Sequence, residues 1–493
     1  MTLGTLLLYI AIAAVILTAI VVFGLKKEKS ILMSFLQNYC GALFLFSGYV
    51  KAVDPLGTAY KMEQYFAEFE STFADTFLSF IAPIFPWLSN LSVSFSVGMI
   101  VFEMVLGIML IIGSRPKVTS WAFFLLVGLF TILTGFTFLT GYVPSGVNFF
   151  DFGSWGPYVK TNMKVTDCGC FGDFIKLEPK TSFYKDIFLL FPSVYFLLKS
   201  KDMHRLFTSP IRNGILGASL VGLIVYCLSN YAWDIPNQDF RPFKVGTDVA
   251  STKVAEEDAA GAVQVVAYKL TNKTSGEIIE LPYAEFLKKF KEFPKADWEY
   301  DQVQTEPTIE ATKISDYAIS DEEGIDITDS LLNYSGYSLM IVSHKLMGKS
   351  STKMVERKIP VMQHDTVTMP DGSLQVVSKV AGETTVENPE TTYKWDNRFA
   401  NNYGEIVNPF CEAAEQAGLL VYGVAGGAGN SMIDDLRHAT QAAYPIYQAD
   451  DILLKTIVRS NPGIVLWKDG KILMKWHHRK LPSWDEVASQ YVK

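Results

Sequence analysis

The chain has 493 residues, a formal net charge of -8 and 49% hydrophobic residues. That length accommodates more than one domain, and that apolar share is high for a wholly water-soluble protein. A phosphate backbone would need a concentrated basic face, so the acidic balance and the lack of any long basic stretch set nucleic-acid binding aside.

The apolar excess is uneven: residues 1–230 hold most of the long apolar runs, and 231–493 carry the charge density and turns of a water-facing region. Six stretches are candidates to span a membrane, at about 5–25, 31–50, 89–112, 119–140, 185–200 and 211–230, since a span needs roughly 20 mostly apolar residues. The fifth is short and carries Pro192, and a helix starting at Thr181 or Ser182 would give it the length. The first is followed by "KKEK", the reverse of a signal peptide's charge order, so it is expected to stay as a helix. "KKEK", "GSRPK" and "KSKDMHR" are short basic linkers, which the positive-inside rule puts in the cytoplasm. The chain is then expected in a bacterial inner membrane, multi-pass, with its N-terminus and C-terminal region periplasmic; the lysines of the 141–184 loop run against that orientation. The loop 51–88 mixes Phe, Tyr and Leu with Lys and Glu at helical spacing, as does a helix lying among lipids in the outer interface.

Glu103 falls near the centre of the third span, where a charged side chain is expensive and faces a partner or a cavity. Lys51 leaves the second span close to the outer surface; its long stem could reach inward to Glu103, with the depth difference standing against it. A proton-handling role and a structural hydrogen bond from a neutral acid both stay open for Glu103, the hydrogen bond being favoured.

"VTDCGCFGDF", residues 165–174, holds Cys168 and Cys170 one residue apart. Such a pair closes a ring only if the backbone bends sharply, and Gly169 removes the Cβ that would oppose the bend. A strained disulfide is reducible, which suits exchange. Asp167 and Asp173 disfavour a thiolate here, whereas Lys176 and Lys180 favour it, and inert free thiols at a tight turn are the alternative. The loop has no further Cys or His to complete a metal site, so no metal is expected.

The first half resembles the DoxX and MauE family of redox-associated membrane proteins. "NYCGALFLFSGYVKAVDPLGTAYK" (38–61) and "FEMVLGIMLIIGSRPK" (102–117) are similar to its first two core helices, and "DCGCFGDF" (167–174) to the MauE-type cysteine motif, within a similarity over about 30–200. The resemblance implies a four-helix membrane core and assigns Cys168 and Cys170 to thiol and disulfide chemistry, with a quinone as the cofactor to consider. Cys40 and Cys227 stand alone on different spans, so no second pair is visible to relay electrons.

In the second half, "IPNQDFRPFKVGTDVA" (235–250) reads as a tether and resembles a segment after the last span of DoxX-like proteins of Bacteroidota. "AVQVVAYKLTNKTSGEIIELP" alternates around a turn, as a hairpin does, and "YSLMIVSHKL" (337–346) has the length of a buried strand. Helix 397–417, strand 419–426, helix 430–443, helix 451–460, the strand pair "GIVLWKDGKILMKWH" and helix 483–491 follow, an order that resembles thioredoxin. That resemblance puts Asn461 and Pro462 at a peptide groove, with Pro462 at the family's often cis proline. The CxxC it calls for is absent, and the polar insertion 347–394 contains a hairpin over 364–380.

The expected fold class is therefore a membrane all-α bundle followed by an α/β thioredoxin-like periplasmic domain. Its expected divisions are an N-terminal helix (1–30), a DoxX/MauE-like core (31–205), a sixth span (206–234), a linker (235–262), a β-rich segment (263–335) and the thioredoxin-like domain (336–493). Two functions follow. In the first, a thiol-disulfide oxidoreductase exchanges Cys168 and Cys170 with an envelope client, coupled to quinone. In the second, a non-enzymatic, membrane-anchored binding or scaffold subunit serves an envelope protein complex.

Overall fold

The computed structural model describes residues 2–165, 168–368 and 374–492. They form two units, Met1–Lys244 and Val245–Lys493.

The first unit is helical. Its elements are α1 (Leu3–Ala19), α2 (Ile31–Val53), α3 (Pro55–Ala74), α4 (Ile84–Asn90), α5 (Ser92–Ile112), α6 (Pro116–Thr140), α7 (Pro179–Leu198) and α8 (Ser209–Leu228). Single π turns prolong α1 to Gly24 and α8 to Trp233. Among the described residues five helices, counting these extensions, are long and apolar enough to cross a membrane: α1, α2, α5, α6 and α8. The unit is thus of multi-pass membrane type. The fifth expected span exists as α7, of 20 residues, but Lys180, Lys185 and Asp186 in its first half keep it out of that set.

Helix α2 runs to Val53, beyond the expected end at residue 50, because Asp54 stops it and immediately caps α3. The Asp54 side chain accepts a hydrogen bond from Gly57 N, and Pro55 supplies a first helical residue whose missing N–H costs nothing there. Lys51 therefore lies inside a helix and is buried. The expected interfacial segment 51–88 is α3 and α4.

Helices α2 and α5 pack through small residues. A Cβ on Gly41 would stand 2.9 Å from the Gly107 carbonyl oxygen and 2.6 Å from an Ile111 side-chain carbon, and one on Gly107 would stand 2.9 Å from the Gly41 carbonyl oxygen. Such backbone approach admits no side chain on either residue. Gln37 ties the opposite end, its amide donating to Leu110 O at 2.9 Å while its oxygen accepts from His204 N at 2.9 Å.

The second unit is mixed α/β. It begins with α9 (Val249–Gly261), then β1 (Val265–Asn272), β2 (Ile278–Pro282), α10 (Tyr283–Lys289) and β3 (Trp298–Gln304). The three strands make an antiparallel sheet in the order β2-β1-β3, which contains the expected hairpin. Then come β4 (Ile319–Ser320), α11 (Thr328–Leu332), β5 (Tyr337–Ser343), β6 (Gly348–Thr368), β7 (Leu374–Trp395), α12 (Asn397–Asn401), α13 (Asn408–Gln416) and β8 (Leu420–Gly426). The chain ends with α14 (Asn430–Thr440), β9 (Ile446–Ala449), α15 (Asp451–Ile457), β10 (Gly463–Lys468), β11 (Lys471–His477) and α16 (Trp484–Tyr491). A six-stranded sheet has the order β11-β10-β5-β8-β9-β4, with β5, β8 and β9 parallel. Its central strands are continuous apolar runs because both faces are covered: Leu339, Ile341, Val421, Ile464 and Leu466 share one core cluster.

Two expected boundaries shift. The linker 235–262 contains α9, and Gly246 N donates to Ile472 O at 2.8 Å while Ile472 N donates to Thr247 O at 3.0 Å, so its second half belongs to the edge of the six-stranded sheet. Strand β4, expected in the separate segment 263–335, pairs with β9. The expected hairpin over 364–380 is part of a far longer ribbon, β6 against β7, that takes up nearly the whole insertion; residues 369–373 lie outside the described ones.

Replacing Gly107 by Leu is expected to force α2 and α5 apart and to cost about 1–3 kcal/mol, as overpacking of a filled core does. Thermal unfolding of the detergent-solubilised chain checks this, with Gly98→Leu, where a Cβ meets nothing within 4 Å, as the neutral control.

Candidate functional site: a charged cavity in the helical bundle

The first unit has a cavity of about 90 Å³, measured as the space open to the centre of a water-sized sphere. Its walls come from α2, α3, α5, α6, α7 and the loop carrying Cys168 to Phe171. One part is apolar, with Leu43, Phe44, Met99, Leu133 and Leu189. The other is charged.

Lys51 on α2 and Glu103 on α5 meet there, Nζ to Oε2 at 2.5 Å, with relative exposures of 5% and 1%. Lys51 Nζ also stands 5.3 Å from the centre of the Phe130 ring, a cation–π contact in a desolvated setting. Lys185 pairs with the neighbouring Asp186 on α7, and Asp186 Oδ2 accepts from the Thr134 hydroxyl of α6 at 3.0 Å. Burying a charge is tolerable only with a partner, so each lysine and its acid constrain one another. The neutral-acid expectation for Glu103 is replaced by an ion pair. Lys51 reaches it from the last turn of α2, despite the expected depth difference.

The cysteine loop covers this cavity. Gly169 adopts φ +61°, a left-handed conformation that L side chains resist, and a Cβ there would come within 3.3 Å of Lys61 Cγ. Ser47 on α2 donates to Cys170 O at 2.8 Å, and an isolated bridge joins Phe171 to Ile175. Cys168 is in hydrogen-bond contact with the buried Tyr65, whose hydroxyl also accepts from Thr137 at 3.0 Å.

These positions overturn the expected exchange chemistry. Cys168 and Cys170 are both free thiols, as are Cys40, Cys227 and Cys411, and no two described cysteines are joined or poised as a disulfide. Burial pushes the Cys170 thiol above its ordinary value, the nearby Lys185 only partly opposing it, so the thiolate needed for attack is disfavoured. The tight Cys-Gly-Cys turn is a lid held by backbone hydrogen bonds, and the redox reading with its quinone coupling is withdrawn. Among the described residues no group of three or more His, Cys, Asp or Glu could hold a metal ion. Asp167 lies outside the described residues, and Asp173 stands 4.0 Å from Lys176 on the rim. The residues missing from the sequence reading are Lys185, Asp186, Thr134 and Tyr65. The one available signal was the charged start of the short apolar run at 185–200.

In the second unit the Asn461–Pro462 peptide is cis and Pro462 is buried. Asn461 Nδ2 is spent on Lys345 O at 2.7 Å. Ser460 Oγ, His478 Nδ1 and the Pro462 carbonyl form a closed cluster, with 3.1 Å from His478 Nδ1 to each oxygen. His344, just past the end of β5, is partly covered beside Lys455 and Arg459, and desolvation first, then those cations, lower its pKa from 6.5 to about 3.

The arrangement is that of a multi-pass membrane protein with a charged cavity and a mixed α/β second unit. Residues 29–145 match the family model of methylamine utilisation protein MauE. The match covers α2 to α6 and ends before the cysteine loop and α7, so it rests on the helical frame rather than on Cys168 and Cys170. No curated protein and no solved structure matches the chain.

Changing Glu103 to Gln is expected to leave Lys51 buried without a counter-charge and to cost about 3–5 kcal/mol, whereas the double change K51M/E103L should recover most of the loss. Unfolding of both variants in detergent checks this; equal stability of E103Q and the native chain would remove the ion pair.

His344 gives a pH dependence. Its folded pKa lies below the unfolded value, so between about 6.5 and 3 the unfolded chain binds a proton that the folded chain does not. Stability of the second unit should be full above pH 7 and fall as pH drops below 6.5, approaching about 1.4 kcal/mol per pH unit from this group. Denaturation midpoints at pH 7.5 and 5.0, followed by tryptophan fluorescence, should show a smaller loss in H344Q.

Proposed function

We propose that the chain is a non-enzymatic, membrane-anchored binding or scaffold subunit of an envelope protein complex. The helical unit anchors it, and the second unit, on the periplasmic side by the positive-inside reading of the linkers, makes the contacts. The observation that carries this is the β6–β7 ribbon, 21 and 22 residues long, in a chain whose described cysteines are all free. Its side-chain ties to the helices of its unit are at its base, where Tyr393 meets Ser431 at 2.9 Å and Trp395 Nε1 donates to Asp435 at 2.7 Å. Further out, Met354, Ile359, Met362, Val376 and Val380 are exposed. An isolated two-stranded ribbon is marginal in water, and exposed apolar side chains along unpaired edges are what strand-addition partners use.

A thioredoxin-like reading of the second unit is supported by the neighbouring order β8-β5-β10-β11. In that reading the unit binds without exchanging disulfides, because the segment after β5 has no cysteine and burial pushes the Cys411 thiol up, disfavouring its thiolate. An envelope protein is then the partner class.

The test compares two variants of the full chain in its native membrane by blue-native electrophoresis after mild solubilisation. Replacing 349–394 by a short turn should shift the chain from a larger assembly to its own mass, and C168S/C170S should leave the assembly and its cellular function intact. Loss of function in C168S/C170S with an unchanged assembly, or absence of any assembly in the native chain, would overturn the reading.

A further inference from the structure

The cavity of the helical unit has more hydrogen-bond donors than the protein fills. An ammonium group carries three N–H donors. Among the described residues Lys51 donates to one oxygen, that of Glu103, and Lys185 to one, that of Asp186. Both line the cavity, Lys51 buried and Lys185 largely so, with side-chain exposures of 6% and 12%. Four N–H groups thus remain in a low-dielectric site where an unfilled donor is costly. Lys61 on α3 brings a third cation to the same wall.

The acceptors of the site are already engaged or opposed. Each carboxylate sits against its own lysine, and Asp186 also takes the Thr134 hydroxyl. A cation entering here would meet three lysines, whereas a group of anionic oxygens would complete the ammonium donors. Leu43, Phe44, Met99, Leu133 and Leu189 belong to the same lining. A lining that offers both N–H donors and hydrocarbon suits a ligand with an oxygen head and an apolar chain.

We propose that this cavity binds a single-chain amphiphile with an anionic oxygen head, a long-chain carboxylate or alkyl phosphate. The head accepts from Lys51 and Lys185, and the chain lies along Leu43, Met99 and Leu133. Lys51 and Lys185 keep their carboxylate partners, so the head adds to two existing ion pairs and displaces neither. The cysteine loop forms part of the wall, and occupancy shields Cys170. This goes beyond the scaffold function and does not depend on it; that function is read from assembly size, this one from ligand binding, so the failure of each is seen separately.

The test uses the full chain in nanodiscs of neutral lipid, with empty nanodiscs subtracted. Radiolabelled dodecanoate and dodecyl phosphate are compared with dodecan-1-ol by equilibrium dialysis. At least one of the two anions should bind saturably, at one site per chain and at least tenfold tighter than the alcohol; which of them binds tighter identifies the head. Leu133→Trp, which fills apolar space in the cavity and leaves every charge in place, should weaken that binding at least tenfold. In a C168S background the bound anion should slow alkylation of Cys170 by N-ethylmaleimide. The double variant K51M/E103L, chosen so that no charge is stranded, should lose the preference for anion over alcohol. Equal binding of dodecanol, absence of saturable binding by either anion, or unchanged binding in folded Leu133→Trp would overturn the proposal.

Discussion

Everything in the helical unit answers to the burial of four charges in an apolar bundle. Lys51, Glu103, Lys185 and Asp186 would each be prohibitive alone in such surroundings, and together they form two pairs. The Lys51–Glu103 pair joins α2 to α5, and Thr134 brings α6 to the pair on α7. The glycine contact between Gly41 and Gly107 is the geometric condition for the first of these, since it lets the α2 and α5 backbones close to the distance at which Lys51 can reach an acid in mid-helix. Replacement of both pairs by hydrocarbon would serve stability as well or better. Their retention around an open cavity therefore points to use of the charges by something that enters it.

The cysteine loop shows how one local sequence supports two different roles. Gly169 is required by the turn in either case, because a positive φ at that position is what brings residues 168 and 170 over the cavity. Spacing alone favours a disulfide. What decides against it is the environment: Cys170 is drawn into the bundle by the Ser47 bond to its carbonyl, and burial holds its thiol protonated. Burial is a property of α2, α3 and α7 taken together and is written nowhere in the ten residues around the motif.

The same distinction separates what was legible from what was not. Apolar runs of about 20 residues announce themselves because lipid demands internal satisfaction of every backbone group, and the five most apolar spans fell near their expected places. Of the parallel core strands, β5 and β8 were legible as short apolar runs between turn residues, whereas β9 was not. The Lys51–Glu103 pair was legible only as a reach open to the long lysine stem, because the two are 52 residues apart and only a shared face brings them together. Lys185 and Asp186 looked like the polar flank of a short span, and α9 was hidden in a stretch whose turn residues suggested a tether. The ribbon was underestimated because its polar strands alternate weakly, so only the part near "DG" looked like a hairpin.

That ribbon carries a cost visible in its own register. Glu356 stands directly opposite Glu387, a like-charge cross-strand pair, and Glu383 lies opposite Pro360 close by. The Lys358–Glu383 contact at 3.6 Å is exposed and offsets little of this. A strand pair of this length with no third strand among the described residues, two like-charge cross-strand pairs (Glu356 with Glu387 and Lys349 with Lys394) and a row of exposed Met, Ile and Val is poorly suited to stand in water for its own sake. Each of those features becomes favourable if the ribbon is met by another polypeptide: the edges gain backbone partners, the apolar side chains are covered, and the carboxylates gain counter-charges. The ribbon's instability in isolation is thus the physical ground for assigning the second unit to contact, and it asks nothing of the cysteines in the first.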